Sequence, residues 1–396
     1  MAMKTSLLPI VLWSVACGSG GASDDGDPLP CAPPANLPAG AQVWSATPEG
    51  ACMQAASANV TGRFALARFL PDGGARFLAT TDGVSTTYHA ALDGAHPVEV
   101  ASGTLSPDGT RVASVASDDH DGLDARVSDV DGSHEVVRTD LDFVDRADGL
   151  QWSPTSDKLM LNLENTSTAF GDGPMLVDRE LVTVGNYVGQ FYEGQARWSP
   201  DGSRLVIDGS TTDEDGLWLI PIDGGPVTHL TTGIEESADW LDDDRLIAIR
   251  NTTASFEGPY ELVTVDAASG AVTPLVTMSE AGFVSFRDVA PDGKTIAVWR
   301  AGTATTESQL YFIEVDGGAV TPVGDTGLSG WYGEFSPDNR YFVASAGPLG
   351  QTARLYRAAR DGSDVTPLTG DNAIFAGWSA DGARMMWTGA ALTDPR

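Results

Sequence analysis

Along most of this chain, short apolar runs alternate with tight polar corners in a fixed and recurring order. An aromatic or aliphatic residue leads into a corner of the Ser-Pro-Asp-Gly type, and a nearly unbroken apolar run follows. The fullest copy is residues 198–207, Trp-Ser-Pro-Asp-Gly-Ser-Arg-Leu-Val-Ile. Residues 105–109, 289–293 and 335–339 are close copies, and residues 69–73, 152–154, 240–244 and 378–382 are weaker ones. Their third positions fall at residues 71, 107, 154, 200, 242, 291, 337 and 380. Runs such as Leu205-Val206-Ile207 or Tyr341-Phe342-Val343-Ala344 suit strands covered on both faces. A period of roughly 40–50 residues built from short strands predicts an all-β fold, a propeller with one four-stranded blade per repeat.

The corner has a mechanical reading. Proline presets the first central position of a turn, aspartate bonds to nearby backbone, and glycine takes the left-handed conformation that brings the chain back. A third strand then ends in Asp223-Gly224 or Asp316-Gly317. After it comes a recurring tetrapeptide: Val272-Thr273-Pro274-Leu275, Val320-Thr321-Pro322-Val323 and Val365-Thr366-Pro367-Leu368. Proline cannot donate to a ladder, so these fourth strands are predicted to be blade edges. The eighth repeat has only nine residues after Trp387, too few for two more strands. Residues 42–46 and 51–54, separated by Pro48-Glu49-Gly50, form a hairpin suited to supply the missing outer strands. That closure would remove unpaired strand edges. The count is eight blades, or seven if a weaker corner at Asp242 or Pro71 is decorative.

The W-S-P-D-G corner followed by an apolar strand resembles the TolB-like, WD40-like β-propeller repeat family (PD40 type) over about residues 60–390. The resemblance implies a fold and leaves activity to be argued from sites. TolB carries an α/β domain ahead of a smaller propeller, and no comparable helical stretch precedes Phe64. Prolyl-oligopeptidase-like enzymes add a hydrolase domain to similar repeats, whereas this sequence has no G-x-S-x-G elbow. On this reading the chain leans away from being an enzyme.

Lys4 followed by the apolar run 7–15 reads as a secretory signal over residues 1–16. Cys17, after Ser14-Val15-Ala16, resembles a bacterial lipobox cysteine, the site of lipidation; cleavage near Ala16 or Ala22 is the alternative. Residues 17–40, rich in Gly, Ser, Asp and Pro, read as a flexible tether, and residues 41–396 as the propeller. Cys31 and Cys52 are then a candidate disulfide tying the tether to the closing hairpin, with two free thiols as the alternative. The expectation is an exported lipoprotein of the periplasm or cell surface, monomeric and held at the membrane by its N-terminal acyl group.

Net charge is −32, and only three of the 23 basic residues are lysine, a balance that repels nucleic acid. In a four-stranded meander the first and third turns share one face, and these are uniformly tight. The remaining connections, at 117–124, 138–149, 162–180, 185–195, 251–259 and 277–286, are long and irregular and open on the other face. Binding residues concentrate on such loops, so this face is the candidate binding surface, with blades 2, 3 and 5 dominating it. Its candidate anchors are Phe170, Tyr187, Phe191, Tyr192, Phe256, Tyr260, Phe283, Trp331 and Tyr332. Aromatics in such loops also serve simply to plug them onto the disk. No catalytic residue is assigned. Asp118, Asp119 and Asp121, and separately Asp213 and Asp215, are weak candidates for Ca2+ or another divalent cation, and otherwise no cofactor is expected. The functional expectation is a protein-binding scaffold of the bacterial envelope, taking an envelope protein or an extracellular ligand. The alternative is a propeller enzyme, a metal-assisted lyase or lactonase acting on extracellular carbohydrate or a small molecule.

Overall fold

The computed structural model describes residues 42–117, 123–139, 146–164, 173–187, 190–191, 194–211, 214–223, 225–232, 237–251, 259–279, 282–303, 307–324, 327–348 and 350–392. All regular structure among them is β, arranged as eight four-stranded antiparallel sheets. Numbering blades in the order of their corners, the inner strands are Arg63–Phe69, Thr104–Leu105, Arg146–Trp152, Gly194–Trp198, Ser237–Trp240, Val284–Val289, Leu328–Phe335 and Ala373–Trp378. The inner strands pack against one another around the central channel from blade 4 through to blade 1 and between blades 2 and 3. The proline-bearing strands Val272–Met278, Val320–Val323 and Thr366–Pro367 are outermost in their sheets, as their missing N–H groups require.

Blade 8 closes the ring. Its strands Ala373–Trp378 and Met385–Gly389 are completed by Gln42–Ala46 and Gln54–Ala55 from the other end of the chain. Trp44 stands opposite Trp387, both buried, and Trp44 Nε1 donates to the Gly389 carbonyl at 2.9 Å. Gln42 pairs with Gly389, at the end of the strand remote from the corner, so the closing strand begins on the irregular face. Cys52, in the closing hairpin, is disulfide-bonded; Cys31 and Cys17 lie outside the described residues.

The apolar core is a wheel of eight clusters, one between each pair of neighbouring blades. The closing seam is well filled: Trp44, Trp387 and Met385 pack there on Val343 and Leu355 of blade 7. The thinnest seam lies between blades 1 and 2, where the buried members are Leu70, Leu105 and Val112. Each buried aliphatic side chain contributes about 1.5–3 kcal/mol, so this seam has the least apolar support. Arg76 partly compensates by donating from blade 1 to the carbonyls of Ala101 (2.6 Å) and Gly103 (3.3 Å).

The corners explain their own sequence. In blade 4 the Ser199 hydroxyl is buried, donates to Asp201 at 2.6 Å, and accepts the Arg204 N–H at 3.0 Å. The Asp201 carboxylate also receives the Ser203 N–H at 2.9 Å. Ser106, Ser336 and Ser379 repeat this arrangement. The turn glycine needs its positive φ (70° at Gly202), and where it is replaced the new side chain stitches blades together. Ser156 and Asn339 take that position and accept the backbone N–H of Asp108 and Asp292 in the preceding blade; Asp243, in the shorter corner of blade 5, accepts that of Asp201.

Candidate functional site

The residue immediately before the corner aromatic or aliphatic occupies the same register in every blade. Around the ring these positions read Arg68, Thr104, Gln151, Arg197, Asp239, Asp288, Glu334 and Gly377. They sit on the inner strands near the corner end of the channel. Blades 5, 6 and 7 thus place three carboxylates on one arc, and an arginine flanks each side.

The side chains of this ring feel one another across blades. Burial pushes the Asp288 carboxyl up to about 7, with the negative charges of Glu334 and Asp239 adding to the rise; backbone N–H groups, including that of Phe335 at 2.6 Å, oppose it. Burial likewise raises Asp239, against the pull of Arg197. Glu334 can be reached through the channel but is walled by protein, and that confinement raises it against the pull of Arg68. Arg68 lies two blades away and is felt because the intervening position is glycine. A Cβ on Gly377 would stand 3.8 Å from Glu334 Oε2, so the carboxylate extends over the gap that Gly377 leaves.

Above this arc the inner strands of blades 1, 3, 6, 7 and 8 each carry a register shift. Such bulges re-aim side chains. In blade 6 the extra residue is Arg287, whose guanidinium carbon lies 4.8 Å from the Trp299 ring centre and 5.1 Å from that of Tyr332 in blade 7. Tyr332 is 68% exposed and Phe283, immediately before the inner strand that carries Arg287, is 43% exposed. Leu66 in the blade 1 bulge and Ile374 in the inner strand of blade 8 are 79% and 61% exposed. The channel is therefore apolar and aromatic toward the irregular face, and acidic toward the corners.

Three expected surface anchors have another role. Phe191 and Tyr187 are buried between blades 3 and 4 with Met160 and Leu205, and Tyr260 is buried between blades 5 and 6. Phe191 and Tyr187 plug connections onto the disk, Tyr260 faces inward from a strand, and none of the three presents a binding surface. Of the others, Phe283 and Tyr332 are exposed, while Phe170, Tyr192 and Phe256 and the side chain of Trp331 lie outside the described residues. Asp118, Asp119, Asp121 and Asp213 lie outside them as well, and Asp215 is exposed at the start of a blade 4 strand. Among the described residues no three His, Cys, Asp or Glu side chains gather closely enough to hold a metal ion. The ring itself was not picked out from sequence, although its signal was present in the residue preceding each corner.

No family model matches the chain. It is 26% identical over 255 residues to an uncharacterized protein of Agrobacterium fabrum, covering 58% of this chain and 80% of the relative. A structure assigned as TolB from Agrobacterium tumefaciens is 20% identical with a TM-score of 0.42, over 61% of this chain and 89% of the other. A prolyl endopeptidase is 14% identical with a TM-score of 0.56, over 78% of this chain and 49% of the enzyme. This chain spans about half the length of that enzyme, and what the two share is the propeller. With eight closed four-stranded blades, the chain is in fold a β-propeller.

Proposed function

We propose that this protein is an exported, lipid-anchored scaffold that captures another protein of the cell envelope at the irregular mouth of its channel. The observation that carries the reading is the placing of Tyr332, Ile374 and Leu66 on three successive inner strands around that mouth, with Phe283 just before the inner strand of blade 6, all exposed. Solvated apolar side chains gathered at one site, beside a charged channel, are what a protein interface offers. Gln42 enters the ring on the same face, so a tether from an acylated Cys17 would reach the ring from the side of the mouth. The apolar emphasis falls on blades 6, 7, 8 and 1, and the long connections of blades 2, 3 and 5 add to the same face.

The test is photo-crosslinking in native membranes, comparing wild type with a Leu66→Ser, Tyr332→Ser, Ile374→Ser variant whose melting temperature is checked. Loss of a discrete crosslinked envelope protein supports the reading; undiminished capture by the folded variant removes it.

One observation favours the second reading, a channel enzyme acting on an extracellular carbohydrate or small molecule. A carboxyl group whose pKa is about 7, beside a second carboxylate, is suited to general acid–base chemistry near neutral pH. Turnover that disappears in Asp288→Asn, in a screen of uronic-acid glycans and lactones, would move the assignment there.

A further inference from the structure

We propose that Arg287 is a receptor for a carboxylate at the channel mouth, its guanidinium held between Trp299 and Tyr332 to take the carboxylate of a peptide segment supplied by the partner. The inference rests on reading this mouth as the binding surface and names the chemistry recognised there.

Carboxylates outnumber basic residues 55 to 23 in this chain, so an internal counter-ion was available almost anywhere. Arg179 pairs with Asp108, Arg360 with Asp292 and Arg250 with Glu261. Arg287 has no carboxylate partner among the described residues. Its Nη1 makes only long contacts, 3.3 Å to Ser285 Oγ and 3.4 Å to the Phe286 carbonyl. The adjacent Asp288 is directed elsewhere, accepting the Phe335 N–H. Arg287 Nε is buried without an acceptor, and so is Nε1 of Trp299, the ring on which the guanidinium lies. Buried Arg76 makes a useful contrast, since backbone carbonyls satisfy its Nη2 and His89 Nε2 lies 3.1 Å from its Nη1.

An unpaired cation taken partly out of water is costly, and burial accordingly holds the Arg287 pKa below its ordinary value. The flanking rings offset that cost through their faces and fix the guanidinium plane. They leave its edge to an in-plane acceptor, and a carboxylate matches that edge with two parallel hydrogen bonds. The bulge that carries Arg287 gives a local reason why this side chain reaches the mouth while its neighbour faces the acidic ring.

The experiment is isothermal titration of the purified protein with three small probes. N-acetylphenylalanine carries a terminal carboxylate beside an aromatic ring, N-acetylphenylalaninamide lacks the charge, and the α-amide of N-acetylglutamate carries only a side-chain carboxylate. The first should bind at least about tenfold more tightly than its amide, as a lost charged hydrogen-bond pair implies. Arg287→Gln should abolish that difference, and Arg287→Lys should weaken binding about five- to tenfold by losing the planar fork. Tyr332→Ala, at an exposed site that tolerates truncation, should weaken it a few-fold. Binding of the glutamyl probe identifies a side-chain source, and its failure beside a binding N-acetylphenylalanine identifies a chain terminus. Equal affinity for acid and amide, no binding of either carboxylate, or unchanged binding by folded Arg287→Gln overturns the proposal. Arg287→Gln should also weaken crosslinking. If it crosslinks normally while the triple apolar variant does not, the scaffold reading stands and this one falls.

Discussion

Asp288 and Asp292 are four residues apart in one blade, and their carboxyl groups are driven in opposite directions. Asp292 lies in the corner. Burial works against its charge, but Arg360 clasps it at 2.7 and 3.1 Å, the Lys294 N–H adds a bond at 3.1 Å, and its pKa falls. Asp288 lies in the channel, where burial is reinforced by two neighbouring carboxylates and its pKa rises. The corner face repeats the pattern: hydrogen bonds from Ser106, Thr110 and Arg179 hold Asp108 far below the carboxylate range despite burial, and Asp201 and Asp381 are also lowered. One face uses aspartate as structural mortar, with donors supplied by its own turn and, at Asp108 and Asp292, by an arginine of the next blade. The channel holds carboxylates whose charge the fold does not satisfy, and groups kept at such a cost are candidates for work on something else.

The contrast has a signature in pH. A lowered carboxylate stabilises the fold above its unfolded pKa, near 4, and that stability is lost as pH falls through the folded value. A raised one leaves stability whole below about 4 and removes it as pH rises toward 7. Breaking the mortar should have the largest effect. Asp292→Ala should lower stability by about 2–3 kcal/mol at pH 7, read from urea midpoints, with the deficit shrinking as the solution is acidified. A deficit independent of pH would mean that the turn, not the charge, is what matters.

Relieving the channel should act with opposite sign and about half the size. Asp288→Asn keeps an acceptor for the Phe335 N–H and should gain about 1–2 kcal/mol at pH 8 and nothing at pH 4, after allowance for screening by channel water. A loss at pH 8 would show that the ionised form is wanted for folding. The smallest effect tests the wall between the regions. The Trp378 indole of blade 8 donates to the Glu334 carbonyl of blade 7 at 3.2 Å, and Trp378→Phe should cost about 0.5–1 kcal/mol while leaving the pH profile in place.

The corners were legible because each carries its own turn chemistry in consecutive residues, and eight of them counted the blades. The closing hairpin was legible because the last repeat ran out of chain. The inward role of the corner serine was not read, since its partners lie two and five residues on and become visible only when the turn closes. Tyr260 went astray although its strand offered a clue: Tyr260 and Leu262 share one side of a strand, and both are buried. Phe191 offered no such period, because it sits in a connection and is buried by a blade on either side. The acidic arc was distributed over three repeats, one residue each. Its letters were in plain view, but a repeat read one copy at a time does not show which charges become neighbours in a ring.

Closure also sets a clock. Trp44 and the carbonyl it holds at Gly389 are 345 residues apart, so among the first strands synthesised are two that must wait for the last. Contacts of such sequence separation form slowly, and until then the first and last blades made each stack on one neighbour only. The finished molecule has no loose end in its wheel, but every unfinished chain does. The ring therefore locks only once residues 385–389 have reached the hairpin that waits for them.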